Sequence, residues 1–151
     1  MNSINLENTY ISLPQEFFRY TEAEAMPDVN VVTINEQLAN LLNIDIGFLK
    51  SQSGLRFLSG KNSQTLPNSI SLAYAGHQFG HLVPQLGDGR AVLLGDKICQ
   101  DGVRRDIQLK GSGKTYFSRG GDGRAGIGPV IREYLISESM HHLGVPTTRS
   151  L

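Results

Sequence analysis

The stretch AVLLGDKICQDGVRRDIQLK, residues 91–110, decides the fold. Two strand-like runs, 91–99 and 103–110, flank Gln100-Asp101-Gly102. An Asp-Gly pair supplies the positive-φ positions that a tight hairpin needs, so two antiparallel strands are expected. In the second run Ile107 and Leu109 point one way, and Asp106, Gln108 and Lys110 the other, because side chains alternate along a strand. Lys110 thus ends a strand on its polar face.

Downstream, residues 111–128 form a loop with seven glycines. Pro129 sits where a first helical turn tolerates it, and Gly144 with Pro146 closes the helix. Val130, Ile131, Tyr134 and Leu135 fall on one side of that helix, and Ile136, Met140 and Leu143 on a second, so cover on two sides is expected. Glu133 lies off the first stripe, near the positive end of the helix. Upstream, Asn35 is a plausible N-cap for a helix over 36–42, and a short helix is expected over 46–52. Residues 60–68 read as a polar loop, and 1–30, with Pro14 and Pro27, as an extended or irregular entry. The expected class is α+β: a small antiparallel sheet and one main helix, preceded by helical material. The division is a partly helical N-terminal extension, 1–69, and a second portion, 70–151, that holds the hairpin, the glycine-rich loop and the main helix.

The chain has 151 residues, with Lys+Arg and Asp+Glu both numbering 14. Overall charge therefore selects no partner, and neither nucleic acid nor membrane is expected. The distribution is uneven. Residues 1–60 carry seven acids against three bases, and 101–132 seven bases against three acids. A basic, glycine-rich segment suits an anionic ligand, or is a solvated surface. Cys99 is the only cysteine, so no intrachain disulfide is possible. The first residues lack the basic and apolar regions of a secretory signal, and no run approaches the ~18 apolar residues of a membrane helix. A reducing, cytoplasmic setting follows as the expectation.

Several constellations bear on chemistry. Gly87 and Gly89, in the turn Leu86-Gly87-Asp88-Gly89-Arg90, permit backbone amides to approach phosphate, or simply make a hairpin turn. Lys110 precedes Glu133 by 23 residues. In kinase-like folds a strand lysine reaches nucleotide phosphates and a helical glutamate holds it. The alternative is two solvent-facing side chains that never meet. Gly111-Ser112-Gly113-Lys114-Thr115 resembles the end of a phosphate-binding P-loop. The glycine required five residues before Gly113 is Gln108, and no helix start follows, so the string reads as a decoy. Ser118-Arg119-Gly120-Gly121-Asp122-Gly123-Arg124 combines tight turns with guanidinium donors, or is a flexible loop. His77 and His81 lie among glycines with no third ligand, which favours a structural turn over a metal site. His141 and His142 fall in the last helical turn, where the dipole favours cations.

Taken together, YAGHQFGHLVPQLGDGRAVLLGD (74–96), DIQLKGSGKTYFSRGGDGRAG (106–126) and IREYLISESMHHLGVPTTRSL (131–151) closely resemble the selenoprotein O family. Leu13-Pro14, Tyr20-Thr21 and residues 35–42 fit its looser N-terminal pattern. The resemblance implies a protein-kinase-like N-lobe that binds ATP in a flipped orientation. It further implies transfer of AMP, with magnesium, to Ser, Thr or Tyr hydroxyls of proteins. On that resemblance Gly87, Gly89 and Arg90 contact the nucleotide, and Lys110 lies on the phosphates. Glu133 is then the partner of Lys110, and Asp122 with Gly123 a further nucleotide contact. Family proteins are several times longer, so the general base and the magnesium ligands are expected beyond Leu151. The domain is then incomplete, and no AMP transfer is expected from this chain alone.

Overall fold

In the computed structural model, which describes residues 4–61 and 68–151, six strands and four α-helices follow one another along the chain. The strands are β1 (Phe18–Tyr20), β2 (Ile70–Leu72), β3 (Gly76–Gln78), β4 (His81–Val83), β5 (Ala91–Ile98) and β6 (Arg104–Lys110). The helices are α1 (Glu36–Leu41), α2 (Ile46–Leu49), α3 (Gln52–Leu58) and α4 (Ile127–His142). Four strands make an antiparallel sheet in the order β1-β2-β5-β6, and β3 and β4 form a separate hairpin. The molecule is α+β, as expected.

The central hairpin forms where its sequence places it. β5 and β6 pair from Ala91↔Lys110 to Ile98↔Arg104, with a bulge between Leu93 and Gly95. Gly102 takes φ 76° in the turn, and the Asp101 carboxylate accepts from the Val103 N–H. Along β6, Ile107 and Leu109 are half-buried while Asp106, Gln108 and Lys110 are exposed, which is the expected alternation. β5 is buried from Ala91 through Asp96 because β2 and β6 cover its edges while helices and the N-terminal segment cover its faces.

The sheet reaches further into the N-terminal half than the sequence suggested. β1 pairs with β2 through Phe18↔Leu72 and Tyr20↔Ile70, so part of the 1–30 entry is an edge strand. The portions 1–69 and 70–151 thereby share one sheet. They share cores as well: Leu38, Ala39, Leu42, Ile44 and Leu49 cluster with Cys99, and Ala23 and Phe57 with Val92 and Leu94. Asn35 caps α1 by accepting from the Leu38 N–H at 3.0 Å. The single helix expected over 46–52 is instead two. Asp45 caps α2, and Ser51 restarts the chain as the cap of α3, because a side-chain oxygen satisfies the free amides of each first turn. The polar loop expected over 60–68 falls mostly outside the described residues.

Helix α4 departs from expectation in a way that matters for the site. It begins after Gly126, holds Pro129 in its first turn, and ends before Gly144 at φ 77°. Its two apolar stripes, however, are not covered. Val130, Ile131, Leu135, Ile136 and Leu143 are all exposed, and Ser137 alone is buried. The line facing the body runs through Tyr134, Ser137, Glu138 and Met140 instead, so each stripe keeps only one half-buried member, Tyr134 in the first and Met140 in the second. Among the described residues no helix is long and apolar enough to cross a membrane.

Candidate nucleotide site

Strand β6 delivers Lys110 to the sheet edge just where α4 passes it. The lysine Nζ lies 2.5 Å from Glu133 Oε1, in the second turn of the helix. Both side chains are close to half exposed, at 44% and 42%, so solvent screens the pair. Such a surface pair contributes roughly 0–1 kcal/mol to stability. What the pair fixes is position: a cation held over an opening. Arg90 joins it through the ladder, since the Gly111 N–H donates to the Arg90 carbonyl at 2.7 Å and Ala91 is the partner of Lys110. Arg90, Lys110, Ala125, Pro129, Val130, Glu133 and Ser150 line a small open cleft of about 90 Å³. Among the described residues the Arg90 guanidinium makes no ion pair. The cleft therefore presents two cations and one carboxylate beside an apolar wall, and the cations are donors of the kind that bind phosphate oxygens.

The glycine turn stands behind this cleft and is braced from below. The Asp88 carboxylate is buried and accepts from the Leu72 N–H and the Tyr74 hydroxyl, both at 3.0 Å. Burial, and then the Asp88 charge, push the Tyr74 hydroxyl up to about 12, so it remains a donor across ordinary pH. The Thr115 hydroxyl donates to the Asp88 carbonyl, and the Ser118 hydroxyl to the Gly89 carbonyl at 2.7 Å. Gly87 has φ 63°, and a Cβ there would sit 2.4 Å from the Phe117 ring. The glycine at 87 is thus required by the Phe117 contact itself. Neither Gly87 nor Gly89 lines the cleft.

Asp122 and Gly123 also lie off the cleft lining. The Asp122 carboxylate accepts from the Arg124 N–H at 2.9 Å, and the Gly123 carbonyl accepts from the Gly113 N–H at 3.2 Å. Arg124 reaches back to Glu24 at 2.6 Å, which neutralises a charge that the basic loop would otherwise offer to a ligand. The same holds for Arg104, paired with Glu7 and Asp96, and for Arg105, paired with Asp101. Two acids of residues 1–60, Glu7 and Glu24, thus meet bases of residues 101–132, Arg104 and Arg124.

The remaining motifs lie outside the cleft lining. No helix follows Lys114; its N–H donates to Glu24 and the Gly113 amide is spent on Gly123, so this string lacks the free amides of a P-loop. His77 and His81 stand on the two strands of the β3–β4 hairpin, with Phe79 and Gly80 at its turn. Among the described residues no group of three His, Cys, Asp or Glu side chains is placed to hold a metal ion. Among the described residues Glu133 is the one carboxylate that lines the cleft, and it is bound to Lys110. Sequence reasoning missed Ala125, Val130 and Ser150 as cleft residues. No local pattern marks them, because the fold alone brings 125, 130 and 150 beside β6.

A sheet-edge lysine held by a helical glutamate stands beside an arginine that makes no ion pair among the described residues, an arrangement with the charge to hold an anion. Residues 1–151 match the family model described as protein adenylyltransferase SelO, and the chain belongs to that family. It is 56% identical over 145 residues to a protein nucleotidyltransferase YdiU from Alkalilimnicola ehrlichii, covering 96% of this chain and 29% of the relative. Proteins of the same name from Clostridium botulinum and Bradyrhizobium diazoefficiens are 55% and 53% identical, over 99% and 96% of this chain. The chain spans about 30% of the length of these relatives.

Proposed function

We propose that this chain forms the lysine-bearing wall of an ATP cleft in a protein adenylyltransferase of protein-kinase-like architecture. The observation that carries the reading is the Lys110–Glu133 ion pair facing a cleft shared with Arg90. In kinase-type folds this pairing of strand lysine and helix glutamate orients a cation on nucleotide phosphates. In the reaction a Ser, Thr or Tyr hydroxyl oxygen of a protein attacks the α-phosphorus in line. The bond from that phosphorus to the bridging oxygen breaks, pyrophosphate leaves, and the hydroxyl proton passes to a base. Lys110 and Arg90 supply positive charge where negative charge builds on the phosphate oxygens, and Glu133 keeps Lys110 in place. Asp88, Tyr74, Thr115 and Ser118 hold the turn that presents Arg90.

Titration of this chain with ATP, followed by amide NMR shifts, tests the reading. We expect weak binding, with a Kd near or above ~1 mM, equivalent to about 4 kcal/mol. Affinity falls as salt rises, because charge dominates and the Debye length shortens. Lys110→Ala and Arg90→Ala weaken binding several-fold further, and Lys114→Ala leaves it within about twofold. Loss of binding in Lys114→Ala with retention in Lys110→Ala would instead favour a P-loop.

A further inference from the structure

Helix α4 carries Glu133 to Lys110, yet most of its apolar side chains are exposed and only Ser137 among its residues is buried. Its direction must be set elsewhere. After Gly144 the chain turns back, and Arg149 grips Glu138 with two parallel hydrogen bonds, Nε to Oε1 at 2.8 Å and Nη2 to Oε2 at 2.6 Å. These side chains are only 12% and 17% exposed, far more enclosed than the Lys110–Glu133 pair. A bidentate guanidinium–carboxylate pair also fixes orientation as well as distance. The next two residues are fastened to α1. The Leu151 carbonyl accepts from the Asn35 N–H at 2.7 Å, and the Ser150 carbonyl from the Asn35 side-chain amide at 3.4 Å. The Leu151 side chain packs against the Leu38–Leu49 cluster. Asn35, already the cap of α1, is therefore the point where helix, tail and core are joined.

Glu133 and Glu138 are five residues apart, about 7.5 Å along the helix and roughly 140° around it. Two attachments so spaced define both the tilt and the rotation of a helix that buries little of its own surface. We infer that Asn35, Glu138 and Arg149 are positioning residues that hold α4 at the angle at which Glu133 meets Lys110. As a statement about the nucleotide site, this inference rests on the reading proposed above. Ser150, itself a cleft residue, is carried into the lining by the same fastening.

Side-chain NMR of Lys110 in the 151-residue chain tests the clasp. The core is monitored by the amides of Leu38 and Leu49, and inorganic triphosphate is titrated separately into the unsubstituted chain. Arg149→Met is expected to remove the distinct Lys110 Nζ and Cε signals, moving them to the positions of an unpaired lysine such as Lys114, while the core amides stay in place. The exchanged pair, Glu138→Arg with Arg149→Glu, restores the Lys110 signals. Should Arg149→Met disturb the core, Glu138→Gln removes the charge at nearly constant shape and decides in its place. Lys110 signals unchanged in a folded variant overturn the clasp. Triphosphate that shifts neither Arg90 nor Lys110 in the unsubstituted chain counts against the nucleotide reading alone, since the Lys110 signals judge the clasp without any ligand.

Discussion

Gly123→Ala is expected to lower stability by about 3 kcal/mol or more, because strain and overlap at this position cannot be relieved by moving a side chain. Gly123 has φ 69°, and a Cβ built there would lie 1.8 Å from the Gly113 carbonyl oxygen and 2.6 Å from the Lys114 nitrogen. Both are backbone atoms, fixed by the Gly113–Gly123 hydrogen bond and the Ser112–Arg124 bridge. The loop must open for alanine to fit, which also frees Arg124 from Glu24 and Ala125 from beneath Gly111. At this chain length a loss of that size lowers Tm by roughly 10 °C. Thermal and urea unfolding of the variant measure it. A loss under about 1 kcal/mol would mean that the two loop strands are not in contact.

Asp96→Ala is the second large effect, expected at roughly 2–4 kcal/mol. The Asp96 carboxylate is fully buried on β5, and it accepts from the Thr9 N–H and Thr9 hydroxyl, each at 2.8 Å, and from Arg104. Its backbone also pairs with Glu7 in both directions, at 2.9 and 2.7 Å. The carboxylate thus anchors the N-terminal segment across the hairpin. The loss stays below that of a wholly buried ion pair because Arg104 is 39% exposed and keeps Glu7. Burial alone would raise the Asp96 pKa, but the two Thr9 bonds and Arg104 outweigh it and leave the value below the ordinary 3.8. A depressed folded pKa contributes stability that is present above the ordinary carboxylate value and lost as pH falls below it. Asp96→Asn therefore flattens the acid limb of the stability profile, whereas an unchanged limb would place the stabilising charge elsewhere.

How much of this was legible in the sequence depends on the range of the interaction. The β5–β6 hairpin was readable because Asp101-Gly102 and the alternation around Ile107 and Leu109 are local signals. The ends of α4 were readable from Pro129 and Gly144, and the cap of α1 from Asn35. Strand β1 was not, since Phe18–Tyr20 is three residues long and its partner lies some fifty residues away. The approach of Lys110 to Glu133 was legible as an order of elements, although nothing local requires the two to meet. The glycines at 87 and 123 were open to two readings, turns of the chain or room for a ligand, and only the family resemblance favoured the second. The structure places the Phe117 ring and the Gly113 backbone there, and sequence cannot distinguish close approach to a ligand from close approach to the chain itself. The exposure of α4 was the clearest miss. An apolar stripe predicts that something covers it, not that the cover lies within the same 151 residues.

The central claim, that nucleotide phosphates sit at Lys110, is tested most directly by nucleotide protection of lysines. The folded chain is reductively methylated with and without millimolar ATP, and modification is read at each lysine by mass spectrometry. Lys110 lies in the cleft and Lys114 does not, so the two serve as probe and internal control four residues apart. The account predicts that ATP lowers modification of Lys110 several-fold while Lys50, Lys97 and Lys114 are unchanged, and that high salt abolishes the protection. Equal modification of Lys110 with and without ATP, or protection of Lys114 in its place, would contradict it.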